Sequence, residues 1–161
     1  SEIEGVHYHF LTRKEFELAR DSDSLLEWAE VHGNCYGTPR EPAENALAEG
    51  RDMLFDIDWQ GAQQVQEKMR ADIVSIFILP PSRAELERRL RGRGTDAEDV
   101  IQRRLRDAAT DMTHWTEYDF IVVNDDFERA LGELHGIVHG RGDTSRRNRD
   151  GLAKLAASLT A

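Results

Sequence analysis

Two acids alternate at the carboxyl end of an apolar run, Met53-Leu54-Phe55-Asp56-Ile57-Asp58. An apolar strand ending in aspartate is the pattern that holds Mg2+ opposite nucleotide phosphates. The competing reading is a cap: one of the two acids closes the start of a helix beginning near Trp59. Further along, Arg91-Gly92-Arg93-Gly94-Thr95 sets two arginines in a glycine hinge between two helical stretches, and Arg103, Arg104 and Arg106 return on the second. Guanidinium groups delivered by a hinge suit phosphoryl transfer, where the protein mainly positions the reactants and neutralises charge spread over phosphate oxygens. Glu27, Tyr36 and Thr38 bring a carboxylate, a phenol and a hydroxyl close together in the chain. They could line a polar purine pocket; alternatively, Glu27 is simply exposed and Tyr36 belongs to a local core.

The elements that must carry these residues are announced by one repeated start signal, Ser or Thr followed three residues later by Glu. It occurs at Thr12–Glu15, Thr38–Glu41, Ser82–Glu85 and Thr95–Glu98, with Pro39 expected at the first helical position of the second. Gly50 and Gly140 are expected to end helices beginning near Pro39 and Phe127. Between helices lie the β-rich apolar runs Met53–Ile57, Ile73–Leu79 and Phe120–Val123. Continuous hydrophobicity marks strands covered on both faces, so the alternation predicts an open parallel α/β sheet with ligands gathered at the carboxyl ends of its strands. Residues 6–36 are different, with part-alternating pieces at Val6–Phe10 and Leu25–Val31 around one short helix, and read as a smaller lobe. Residues 141–150 read as a polar linker, after which Leu152, Leu155 and Leu159 predict a short packing helix or a frayed tail.

Composition narrows the function classes. At 161 residues and 18.4 kDa the chain suits one domain. A single cysteine, Cys35, excludes an internal disulfide and a zinc site built on paired cysteines. The net charge of −10 argues against a broad nucleic-acid surface, yet residues 83–106 carry eight arginines among the 21 basic residues. Concentrated arginine on an acidic chain points to a small, highly charged anion, although i,i+4 pairs such as Glu85–Arg89 and Glu87–Arg91 account for part of it. Neither a signal peptide nor a run approaching the ~18 apolar residues of a membrane span is visible, so a cytoplasmic location is expected.

In order and spacing, GVHYHF, FLT, LLEWAEVHGNCYGTP, DIDWQGAQQV, IFILPPS, ELERRLRGRGTD and YDFIVVND resemble the guanylate kinase family across residues 2–140. The resemblance implies transfer of a phosphoryl group from ATP to GMP with Mg2+, on a P-loop NTPase-type open parallel sheet flanked by helices, with an inserted GMP-binding lobe and a helical lid. On that template residues 1–52 are the GMP lobe, 53–85 and 114–140 the core, 86–113 the lid, and 141–161 the polar linker with its short C-terminal helix or tail. Glu27, Thr38 and Asp58 then match residues that contact guanine, and Tyr8 and Tyr36 match the phenols that bond the GMP phosphate. Arg89, Arg93 and Arg104 match the lid-side arginines of catalysis, the latter two also on the ATP side with Asn124 beside adenine. Asp56 and Asp58 are the expected Mg2+ partners, directly or through water. GMP and ATP are the expected partners, with no nucleic acid, membrane or protein implied.

The chain departs from the family pattern at its start. The ATP-phosphate loop G-x-x-x-x-G-K-[ST] is absent: none of the three lysines (Lys14, Lys68, Lys154) is preceded by glycine and followed by Ser or Thr. The family's upstream Ser and two Arg for GMP are missing as well, and the expectation is an N-terminally incomplete chain that does not catalyse efficiently by itself. The alternative is a catalytically silent guanylate-kinase-like module that holds phosphorylated peptides in the old GMP lobe. Retention of Asp58, Arg93 and Arg104 argues for the enzyme.

Overall fold

The computed structural model describes residues 3–31, 33–92, 97–141 and 149–160. It divides into two compact units, residues 1–73 and 74–161. In the first, helix α1 (Arg13–Asp21) leads into strand β1 (Leu25–Val31), which pairs antiparallel with β2 (Asn34–Pro39), and helices α2 (Arg40–Ala48) and α3 (Trp59–Met69) follow. Thr12 and Glu15 form the reciprocal box that opens α1, each side chain bonding the other's backbone N–H. Leu26, Ala43 and Val65 form the buried core, with Phe55, Ile57, Met69 and Ile73 packed around it.

Two local expectations are overturned in this unit. Met53–Ile57 lies outside any ladder: among the described residues no strand pairs with it. Its side chains still alternate, Phe55 and Ile57 packing inward while Leu54 is 92% exposed, so the segment keeps a strand's periodicity without its hydrogen bonds. The part-alternating Val6–Phe10 piece is a turn, in which the Val6 and His7 N–H groups donate to the Ile3 carbonyl and Gly5 takes φ +70°, with one isolated bridge from Glu4 to Tyr8. Thr38 does not cap α2; Pro39 occupies the cap position, with no side-chain bond there. The Thr38 hydroxyl is committed elsewhere, as described below.

In the second unit, β3 (Ile76–Leu79) pairs in parallel with β4 (Phe120–Val123), surrounded in sequence by helices α4 (Arg83–Gly92), α5 (Glu98–Asp111), α6 (Phe127–Val138) and α7 (Arg149–Thr160). Register is fixed at the strand starts: the Ser75 N–H and hydroxyl both donate to Asp119 Oδ2, at 3.0 and 2.9 Å, and the Asp119 N–H donates back to Ser75 Oγ at 3.0 Å. β4 shows why its sequence is continuously apolar. Ile121 packs into one cluster with Leu79, Met112 and Leu159, while Val122 packs into another with Ala130 and Ile137. β3 is shorter than the apolar run Ile73–Leu79, and Ile78 remains 51% exposed, so covering on both faces is not realised along it.

Of the remaining start signals, Ser82 keeps half of its box. Its Oγ accepts the Glu85 N–H at 3.1 Å, but the Glu85 carboxylate turns to arginines instead of returning to the cap. Thr95 lies outside the described residues, and Ala97 is the cap residue of α5. Gly50 and Gly140 follow the ends of α2 and α6 with φ +72° each, a conformation that glycine adopts without strain. α7 resolves the two readings of the C-terminal leucines: Leu159 is 1% exposed inside the β3–β4 core, and Leu152 and Leu155 pack against it. It is a packing helix. Among the described residues, no helix is long and apolar enough to cross a membrane.

Candidate nucleotide site

In the first unit β1 packs beside α3, and its Glu27 is only 4% exposed. The pairing of Glu27 with Thr38 across β1–β2 brings the Thr38 hydroxyl to Glu27 Oε1, to which it donates at 2.6 Å. Burial raises the Glu27 pKa and the nearby Asp58 charge adds to the rise, while the Thr38 bond opposes it. The alternative of an exposed Glu27 is therefore excluded. Asp58 caps α3, its Oδ1 accepting the Gly61 N–H at 2.9 Å and its Oδ2 accepting from the Gln60 amide at 2.9 Å. The Tyr8 and Tyr36 rings meet edge to face with centroids 5.9 Å apart, and at 46% and 40% exposure both present themselves to solvent. Tyr36 is not a core residue.

Asp56 is exposed, two residues ahead of the cap. Among the described residues no group of three or more His, Cys, Asp or Glu side chains could hold a metal ion. Asp56 and Asp58 therefore form no all-protein cage, and both Asp58 oxygens already accept hydrogen bonds.

The second unit holds the arginines. Arg89 Nε donates to Glu85 Oε1 at 2.6 Å, and Arg88 holds the same carboxylate through Nε and Nη2 at 2.7 and 2.6 Å. Those two guanidinium groups keep the Glu85 carboxyl at about 2. Arg91 closes a clasp between α4 and α5, with two bonds to Glu98 and one to Glu87. The predicted pair Glu87–Arg91 is thus present, as is Glu85–Arg89. Arg104 lies on α5. Asn124 follows β4, its N–H donating to the Leu79 carbonyl at 2.8 Å, at the carboxyl end of the parallel pair. Arg93 lies outside the described residues.

Because its folded pKa lies below the ordinary 4.5, Glu85 contributes stability that is fully present above pH 4.5 and is lost as pH falls towards about 2. Glu85→Gln should therefore lower the melting temperature most above pH 4.5 and least near pH 2, and so flatten its fall across that interval. A melting profile against pH with an unchanged acid limb would show that the Arg88–Glu85–Arg89 cluster carries no linked stability.

Sequence reasoning overlooked the support beneath Glu27. Gln64 and Lys68 of α3 bond the backbone of β1 at Trp28, Leu26 and Leu25. The spacing of Gly61, Gln64 and Lys68, three and then four residues, is the signal that could have revealed one functional helix face.

The guanylate kinase family profile matches residues 1–140. A guanylate kinase of Mesorhizobium japonicum is 72% identical over 159 residues, covering 99% of this chain and 72% of that protein. One of Rhizobium etli is 62% identical over 149 residues, covering 92% of this chain and 67% of that protein. The crystal structure of a guanylate kinase from Anaplasma phagocytophilum matches with a TM-score of 0.74 at 34% identity, covering 99% of this chain and 78% of that one. These likenesses define the class as nucleoside monophosphate kinase, on an α/β fold of the P-loop NTPase type. Within that class, the chain belongs to the guanylate kinase family.

Proposed function

We propose that the chain supplies the acceptor lobe and the lid arginines of an ATP:GMP phosphotransferase, which converts ATP and GMP to ADP and GDP in the cytoplasm. The observation that carries this reading is the buried Glu27 carboxylate held at one oxygen by Thr38. A carboxylate can accept from guanine N1–H and the 2-amino group, donors that adenine does not present in that arrangement. A wrong base leaves the buried acceptor unpaired, at about 1–3 kcal/mol.

Asp58 completes the guanine contacts, and Tyr8 and Tyr36 direct their phenols to the GMP phosphate. A GMP phosphate oxygen then attacks the terminal phosphorus of ATP directly, without a covalent enzyme intermediate. Arg89, Arg93 and Arg104 neutralise the charge that spreads over the transferring group, and Asn124 lies beside the adenine of ATP. With Nε engaged by Glu85, the Nη groups of Arg89 are the ones suited to phosphate. Mg2+ would be held near Asp56 and Asp58 and supplies charge neutralisation on the phosphates when bound. The relatives' names do not favour the peptide-binding alternative.

A calorimetric titration with GMP, with AMP as control, tests the acceptor half independently of the donor-phosphate loop that the sequence lacks. The expected result is binding of GMP with clear preference over AMP. A folded chain that shows no such preference removes the guanine assignment of Glu27.

A further inference from the structure

Helix α3 meets strand β1 in an unusual way for a helix packed beside a hairpin. Gly61, Gln64 and Lys68 fall on one face at helical spacing, and each meets β1, at Glu27, Trp28 and Leu25–Leu26 respectively. Gln64 Nε2 donates to the Trp28 carbonyl at 2.7 Å while its Oε1 accepts the Trp28 N–H at 3.1 Å. One side-chain amide thus takes both backbone groups of Trp28, as a neighbouring strand would. Lys68 Nζ donates to the Leu26 carbonyl at 2.7 Å and approaches that of Leu25 at 3.4 Å. The backbone on both sides of Glu27 is therefore fixed to α3.

Gly61 completes the face by what it lacks. A Cβ at this position would lie 2.4 Å from Glu27 Oε2 and 3.1 Å from its carboxyl carbon, distances at which something must shift. The glycine cannot easily withdraw, because its N–H is held by Asp58 Oδ1 at 2.9 Å within the first turn of α3. Nor can the carboxylate turn away without giving up the Thr38 hydroxyl on Oε1. Gly37 across the hairpin is similarly confined, a Cβ there meeting Leu25 Cδ1 at 3.0 Å and the Glu27 carbonyl at 3.1 Å.

We propose that α3 acts as a gauge for the guanine-reading carboxylate, with Gly61 and Gln64 as positioning residues: Gln64 sets the height of β1 against the helix, and the bare Gly61 Cα admits Glu27 Oε2. The inference rests on the reading of Glu27 as the guanine acceptor. Neither residue touches the base in this scheme, and both act through Glu27.

The test is a titration of the full chain with GMP and with AMP, for the wild type, Gly61→Ala and Gln64→Met, each also in a Glu27→Ala background. Gly61→Ala is expected to weaken GMP at least tenfold, to leave the weaker AMP binding nearly unchanged, and to cost nothing further once Glu27 is alanine. Such loss of additivity is the signature of action through one shared group, which a merely structural role would not produce. Gln64→Met keeps the side-chain length and gives up both bonds; it should weaken GMP severalfold with the same dependence on Glu27, and it decides the matter should circular dichroism show Gly61→Ala to be unfolded. Unchanged GMP affinity in a folded Gly61→Ala protein, or equal losses with and without Glu27, overturns the gauge. Absence of GMP preference in the wild type overturns the functional reading beneath it, an outcome visible before any variant is made.

Discussion

Glu27→Ala is expected to weaken GMP binding tenfold or more and to abolish most of the preference over AMP, with the fold retained. On the proposed reading the substitution removes a buried acceptor for two base donors, and loss of even one such bond corresponds to about 1.4 kcal/mol, a factor of ten. Calorimetry reads both nucleotides directly, and equal affinities of variant and wild type for GMP would take Glu27 out of the pocket. The pH dependence carries the same information with opposite signs for binding and for stability. Glu27 has a folded pKa above its ordinary 4.5, so its contribution to stability is fully present below pH 4.5 and is lost as pH rises through the folded value. GMP affinity should move the other way, improving as the carboxylate ionises.

The largest effect on stability is expected at Leu159, which is 1% exposed among Leu79, Met112 and Ile121. Leu159→Ala deletes buried methyl groups and leaves a cavity, at a cost of about 3 kcal/mol within a usual range of roughly 2–5. Urea denaturation should report it as a lower midpoint with little change in slope. A cost below about 1 kcal/mol would show that α7 can leave the core without consequence, and would return residues 149–160 to the status of a tail. The same substitution at Leu152, which is only partly buried, should cost less.

Much of this architecture was legible in the residues because the local signals agreed with the packing. Phe120–Val123 is continuously apolar, and Ile121 and Val122 do fill clusters on opposite faces. Thr12 and Glu15 are close enough in sequence to satisfy each other whatever surrounds them, so their box survives intact. Thr38 shows where local reasoning stops. Its pattern with Glu41 is that of a helix cap, but a buried carboxylate across the hairpin is a better partner for its hydroxyl than a solvent-accessible N–H, and the long-range bond prevails. Glu85 obeys the same rule, with two guanidinium groups drawing its carboxylate off the Ser82 cap. Met53–Ile57 had the composition of a strand, but a ladder is a property of two segments, and among the described residues none pairs with it. The gauge residues escaped notice because glycine and glutamine have no chemical signature alone; their meaning comes from what lies opposite.

The two sheets also imply different routes to the native state. In the first unit Val31 pairs with Asn34 and the ladder extends outward to Leu25 and Pro39, so the hairpin can zip from its turn with little loss of chain entropy at each step. In the second, Ser75 must find Asp119 across 44 residues before β3 and β4 have any register at all. Sequence-distant contacts of that kind slow folding. The β1–β2 hairpin therefore has the topology of an early event and the parallel pair that of a late one. The Ser75–Asp119 exchange of hydrogen bonds marks the step on which the second unit's refolding time depends.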